Sequence, residues 1–166
     1  SPLSTEIADL LPITTTLLPD IRWDNCFIKT TALLGNVMLK QQAAQAGFEE
    51  AILHRKQVVT EATTSNVFIV KSGVIYTPIS NRYILAGITR EVIIEIAENA
   101  SIKVIQQNIT VEQLLDADEI WLSSSSREIS PVTHIDDKIV ANGTIGPLTA
   151  KMHQLFQAFK QQLAGS

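Results

Sequence analysis

The chain has 166 residues and a net charge of -4, with 45% hydrophobic and 18% charged residues. This is one domain's length, able to bury a core without disulfide or metal support. The balance excludes a disordered or fibrous chain, no apolar run is long enough to span a bilayer, and the scattered lysines and arginines form no basic stripe that would track nucleic acid.

The chain opens Ser1-Pro2, and its first dozen residues carry turn formers without periodicity, the pattern of a sequence that starts inside a longer protein. Ile13 to Leu18 is β-branched and apolar and predicts a strand ending at the Pro19-Asp20 turn signal. A short apolar piece, Phe27-Ile28, then delivers Lys29. Ala32, Leu33, Val37, Leu39, Lys40 and Ala43 continue at helical spacing to Gly47, a C-cap. Lys29 is therefore expected where a strand hands over to a helix. Short β-rich runs follow over 50–60 and 66–78, with Ser72-Gly73 as a hairpin turn. Gly87-Ile88-Thr89-Arg90 opens a helix whose apolar face is Val92, Ile93, Ile96 and Ala97, and Ile102 to Ile109 predicts a strand. Thr110 with Gln113 forms a capping box for a short helix through Leu115. Glu119 to Ser123 is strand-like, Pro131 to Val140 predicts a strand pair across Asp136-Asp137, and Gly146-Pro147 starts a final helix. The expected class is mixed α/β.

The single cysteine, Cys26, can form no internal disulfide, and no charged-then-apolar leader is visible, so a reducing, cytoplasmic setting is expected. His54, His134 and His153 stand far apart without a second ligand at metal spacing; no metal site is expected, and each reads as a surface or rim residue.

Three features carry chemistry. Lys29 offers an amine at an element junction, although a lysine at a strand end is, on spacing alone, a solvated surface residue. Glu61 lies among small hydroxyl residues, Thr60 to Asn66, just past a β-rich run; taken alone it reads better as an exposed loop glutamate. Gly87-Ile88-Thr89 at a helix start presents backbone N–H groups to an anion, and Ser123 to Ser126 adds hydroxyls, where the plainer readings are a helix cap and a loop.

Taken in order, these pieces resemble a known family. Asp20-Ile21-Arg22-Trp23 with Ile28-Lys29-Thr30, Val59-Thr60-Glu61 with Ser65-Asn66-Val67-Phe68, Ile84 to Arg90, Ala117-Asp118-Glu119 with Ser123 to Ser126 and Glu128, and Gly146-Pro147-Leu148-Thr149 run as in fold type IV aminotransferases, which depend on pyridoxal 5'-phosphate (PLP). The resemblance implies the C-terminal domain of that fold, a mixed sheet or pseudo-barrel flanked by helices, over residues 13–166, with 1–12 as a linker from an N-terminal domain. On it Lys29 resembles the Schiff-base lysine and Glu61 the carboxylate facing the pyridine nitrogen. Ile88, Thr89 and Ser125 resemble the phosphate ligands, with Gly87 and Ser124 beside them. Leu85 resembles the side chain packed on the ring, backed by Ser65 and Asn66.

Lys29 to Val37 and Ile21-Arg22-Trp23 are most similar to D-amino acid aminotransferases, implying amino acid and 2-oxo acid substrates and a homodimer. Branched-chain aminotransferase and aminodeoxychorismate lyase share the same cofactor groups. A reading of another class is an isolated, non-catalytic domain with an incomplete site. Two departures stand out. Ala62 replaces the family's glycine, with Thr63-Thr64 in place of serines, and none of Arg22, Arg55, Arg82, Arg90 or Arg127 matches the phosphate-binding arginine of the family's N-terminal domain.

Overall fold

A computed structural model of the chain describes residues 10–22, 33–81, 83–84 and 87–165. Within them the elements run β1 (Ile13–Pro19), α1 (Leu33–Gln45), β2 (Glu50–Arg55), β3 (Val58–Ala62), β4 (Asn66–Lys71), β5 (Val74–Thr77), α2 (Ile88–Asn99), β6 (Val104–Gln106), α3 (Val111–Leu115), β7 (Glu119–Ser124), β8 (Glu128–Ile135), β9 (Lys138–Ile139) and α4 (Pro147–Ala164). The strands form one sheet in the order β3-β2-β1-β8-β7-β4-β5-β6, with β9 attached to β8. β1 is parallel to both β2 and β8, and β5 is parallel to β6; the remaining pairs are antiparallel. β3 closes one edge of this path, yet residues 63–65 carry it directly into β4 in the other half, so the sheet has to curl. Ala62 N donates to Ser65 O at 2.8 Å and keeps that passage tight. The mixed α/β class expected from the sequence is the one observed.

Strand alternation divides the interior. On β4 and β7, Val67, Ile69, Ile120 and Leu122 face one core with Ile13, Ile52 and Val132, closed by Ile109, Val111 and Leu114 of the α3 region. Phe68, Val70 and Trp121 point to the opposite face, where Ile93 and Ala97 of α2 and Met152 and Phe156 of α4 cover them. Phe68 and Trp121 stack with centroids 5.1 Å apart at 11°. Because both faces are covered, β4 reads as an unbroken apolar run rather than an alternating one. A third, smaller cluster seats Leu39 and Ala43 of α1 on Ala51 and Leu53 of β2.

Several expectations shift in detail. The strand expected over 102–109 shortens to Val104–Gln106, and β9 is only two residues long. Pro131 lies inside β8 opposite Trp121 of β7, one residue before β1 begins pairing with β8 at Val132, so β8 is flanked by a single strand at the proline. The apolar face read along α1 is only half buried: Leu39 and Ala43 pack inward, while Val37, with Leu34 and Met38, stays exposed. His153, expected at the rim, is buried on the inner side of α4. The capping box of Thr110 and Gln113 forms as expected, and Gly47 takes a left-handed φ of 90° just past α1.

Candidate functional site

Past β1 the chain takes one more ladder step, Asp20 N to His54 O at 2.8 Å, and then turns on its own side chain, with Arg22 N donating to Asp20 Oδ1 at 3.0 Å. The turn throws Arg22 inward, where its side chain is 0% exposed. A guanidinium has five N–H donors, and all of them are engaged. Nε donates to Asp20 Oδ1 at 2.9 Å, Nη2 to Asp20 Oδ2 at 2.8 Å and to Tyr83 O at 3.0 Å, and Nη1 to Glu61 Oε1 at 2.7 Å and Asn36 Oδ1 at 3.5 Å. α1 approaches so closely that a Cβ at Gly35 would lie 3.0 Å from Arg22 Cγ.

Asp20 is bound from two further directions. Thr60 Oγ1 donates to its Oδ2 at 2.9 Å, and Arg55 Nε lies 3.5 Å from the same oxygen. Arg55 also donates from Nη2 to Arg22 O and sits 4.3 Å from the centre of the Tyr83 ring. Burial pushes the Asp20 carboxyl up, but hydrogen bonds and charge from Arg22, with Thr60, outweigh that and hold it below the ordinary carboxylate value. Burial also pulls Arg22 down, and its two carboxylate partners drive it well above its ordinary value instead.

Glu61, on β3, is buried, and its carboxylate oxygens meet Arg22 and Asn66. Arg22 takes Oε1, and Asn66 Nδ2 donates to Oε2 at 3.3 Å. The other end of the same amide, Asn66 Oδ1, accepts from Gly87 N at 3.4 Å. Gly87 is the N-cap of α2 and supplies no side-chain cap to the first-turn amides beyond it, which lie in the positive field of the helix end and suit an anion. Ile88 there is 85% exposed. A Cβ at residue 87 would lie 2.9 Å from Asn66 Oδ1, so this close approach requires glycine. Ser123 pairs with Asn66 across β7 and β4, which brings the serine run to the same end of the sheet. Its Oγ is buried and has no hydrogen-bond partner among the described residues.

The arrangement thus bridges a buried carboxylate to an uncapped helix start through one side-chain amide. That donor set suits a molecule carrying an anionic group at one end and a protonated nitrogen at the other.

Of the residues singled out in the sequence, Glu61, Asn66 and Gly87 are brought into one hydrogen-bonded chain, and Ile88 and Thr89 begin the helix beside them. Ser65 lies in the turn before β4. Ser124 Oγ accepts from Arg127 N at 3.1 Å, and Ser125 is exposed in the same turn. Lys29 and Leu85 lie outside the described residues. The roles of Asp20, Arg22, Arg55 and Glu50 were not anticipated. Glu50 is buried and accepts from Ala51 N at 2.9 Å, Thr63 N at 3.2 Å, Thr64 Oγ1 at 2.9 Å and Thr63 Oγ1. The two threonines after Glu61 therefore spend their hydroxyls on fixing the turn, and Ala62 packs into the core. The available signal was the charged residue directly after β1, Asp20; period-two patterning is blind to such a position.

A family model described as "Amino-transferase class IV" matches residues 2–135. A D-alanine aminotransferase from Listeria monocytogenes is 48% identical over 137 residues, 82% of this chain and 47% of that protein. The crystal structure of the Escherichia coli branched-chain amino acid aminotransferase superposes with a TM-score of 0.83 at 31% identity, over 89% of this chain and 51% of that one. An aminotransferase from Brucella abortus bound to the cofactor PLP shares the fold at a TM-score of 0.82 and 24% identity, over 92% of this chain and 56% of that one. The chain spans about half the length of the curated relatives it matches.

Proposed function

Because the chain belongs to the class IV aminotransferase family, we propose that it is the cofactor-lysine domain, residues 13–166, of a PLP-dependent transaminase that moves an amino group from a D-amino acid, D-alanine foremost, to a 2-oxo acid. The observation that carries this reading is the hydrogen-bonded run from Glu61 through Asn66 to Gly87 at the open start of α2. PLP, when bound, supplies the electron sink.

The protein's own contribution follows from its residues. Lys29 would hold the cofactor through Nζ and, once freed from it, would carry the proton between the substrate Cα and the cofactor C4'. Glu61 would favour a proton on the pyridine nitrogen by its negative charge. The amides of Ile88 and Thr89, with Ser124 and Ser125, would take the phosphate, and Leu85, Ser65 and Asn66 would hold the ring. Substrate preference follows the sequence relatives: 48% identity to a D-alanine enzyme against 31% to a branched-chain enzyme of closely similar fold. A homodimer and a cytoplasmic setting complete the reading; the lone Cys26 suits a reducing compartment.

The deciding experiment is borohydride reduction of the PLP-treated protein, followed by digestion and mass spectrometry. The pyridoxyl mass is expected on Lys29 and is lost in Lys29→Ala. Fixation on Lys40, Lys56 or any other lysine would sink the reading. Keto-acid formation from D-alanine, L-leucine or aminodeoxychorismate then separates the substrate classes.

A further inference from the structure

We infer that Arg90 is the charged member of the anion end: a buried guanidinium in the first turn of α2 whose positive field, acting without contact, favours a phosphate dianion at the helix start. This rests on the phosphate reading of Ile88 and Thr89 given above, and it adds the charge that their neutral amides lack.

The placement of Arg90 comes first. The residue is 1% exposed. Helical side chains lean toward the N-terminus of their helix, so a residue of the first turn points back toward the segment that launches it. Arg90 Nη2 accordingly donates to Pro78 O and to Gln106 Oε1, each at 3.0 Å. Thr77, just before Pro78, donates from Oγ1 to Val67 O at 2.7 Å. Val67 in turn follows Asn66, whose Oδ1 accepts from Gly87 N. The guanidinium is thereby tied to the same strand ends that carry the contact between Asn66 and the start of α2.

Helix stability alone does not favour a cation here. A positive charge in the first turn opposes the helix dipole, and Arg90 Nε is buried with no hydrogen-bond partner among the described residues. Both features weaken the fold, and the charge favours an anion at the helix start. Among the described residues Glu91 is the one carboxylate in ion-pair contact with Arg90, through Nη1; its side chain is 55% exposed, that of Arg90 1%. Solvent screens the exposed carboxylate far more than the buried guanidinium, so the pair leaves a net positive field on the protein side. In a poorly screened interior that field falls only with inverse distance, and it reaches an anion held at the first-turn amides.

The plainer reading makes Arg90 a clamp between Pro78, Gln106 and α2. A clamp needs the planar fork, whereas the field needs the charge. Arg90→Lys keeps the charge and loses the fork, and Arg90→Gln loses both.

The test is calorimetric binding of inorganic phosphate, PLP and pyridoxal to the cofactor-free, full-length protein, with circular dichroism to check each fold. Arg90→Gln should weaken inorganic phosphate and PLP by roughly tenfold and leave pyridoxal, which has no phosphate, unchanged. Arg90→Lys should retain most of the phosphate affinity. In 31P NMR of the PLP-loaded protein, the midpoint of the second phosphate ionisation should rise by about half a pH unit in Arg90→Gln and stay near that of the wild type in Arg90→Lys. Equal losses in the two variants, equal losses for PLP and pyridoxal, or no loss in either variant would overturn the inference. If Arg90→Gln does not fold, Arg90→Lys decides alone: phosphate affinity kept supports the field, and affinity lost overturns it. Failure of the wild-type protein to fix PLP on Lys29 would remove the functional reading, while the inorganic phosphate comparison would still decide whether Arg90 draws an anion to α2.

Discussion

Asp20 is where acid should first weaken this fold. Its carboxyl is held below its ordinary value of 3.8 by Arg22 and Thr60 despite burial. A group depressed in the folded state contributes stability that is complete above its unfolded pKa and is lost as pH falls through the folded one. Thermal unfolding should therefore be level down to about pH 4 and weaken steadily below it, the usual carboxylate range being the upper bound of the window. Asp20→Asn should start less stable and show a shallower acid slope; an unchanged slope in that variant would assign the acid sensitivity elsewhere. Glu61 carries the chemical prediction. Glu61→Gln keeps the shape and the partner Asn66 but cannot favour a ring cation by charge, so cofactor fixation should persist while the half-reaction slows, by roughly tenfold or more. Unchanged half-reaction rates would place Glu61 outside the site.

At the scale of elements, the start of α4 is set by a buried carboxylate. Glu119, the first residue of β7, accepts from Thr149 N and Thr149 Oγ1, each at 2.8 Å, and from Leu148 N at 3.3 Å. It thereby satisfies orphan amides of the first turn and answers the helix dipole. Gly146 is the N-cap, and any Cβ there would fall on the Glu119 carboxylate. Gly146→Ala should therefore cost about 1–3 kcal/mol through displacement of that side chain, read as a drop in the denaturation midpoint with an unchanged denaturant slope. A neutral Gly146→Ala would mean that the carboxylate is free to move. α2 has the contrasting start. Its N-cap, Gly87, provides no side-chain cap, which is a stability cost for an isolated helix and suits its first turn to an anionic ligand.

For the whole molecule, the apolar surface is unevenly shared. α1 presents Leu34, Val37 and Met38 to solvent at 73%, 62% and 53% exposure, on the side away from its own seat on β2. Contiguous exposed apolar residues of this kind mark contact surfaces. The chain also spans about half the length of its curated relatives. We therefore expect the 166-residue chain alone to be a poor transaminase, since the amides and hydroxyls at the phosphate end are neutral donors, and charge-assisted contacts are about twice as strong. Turnover of D-alanine with 2-oxoglutarate in excess PLP, measured beside a longer protein that carries an upstream domain, tests this. Comparable rates for the two would show the chain to be self-sufficient.

The elements themselves were legible locally. β4 declared itself by a solid apolar run, α3 by its capping box and α4 by Gly146-Pro147, because propensity, capping and turn chemistry act between residues close in sequence. The order of motifs likewise pointed to Glu61, Asn66 and Gly87. The amino-acid order could not say that Asp20 and Arg22 stand behind Glu61, 39 positions beyond Arg22, or that Glu50 consumes the hydroxyls of Thr63 and Thr64. It did not say which side of α1 is covered, and it read His153, which is buried, as a surface or rim residue. Those outcomes depend on how far the sheet curls and on which strands become neighbours. Burial of an ion pair is a property of that long-range packing, since the same carboxylate and guanidinium on a flat, wetted surface would be worth almost nothing to each other.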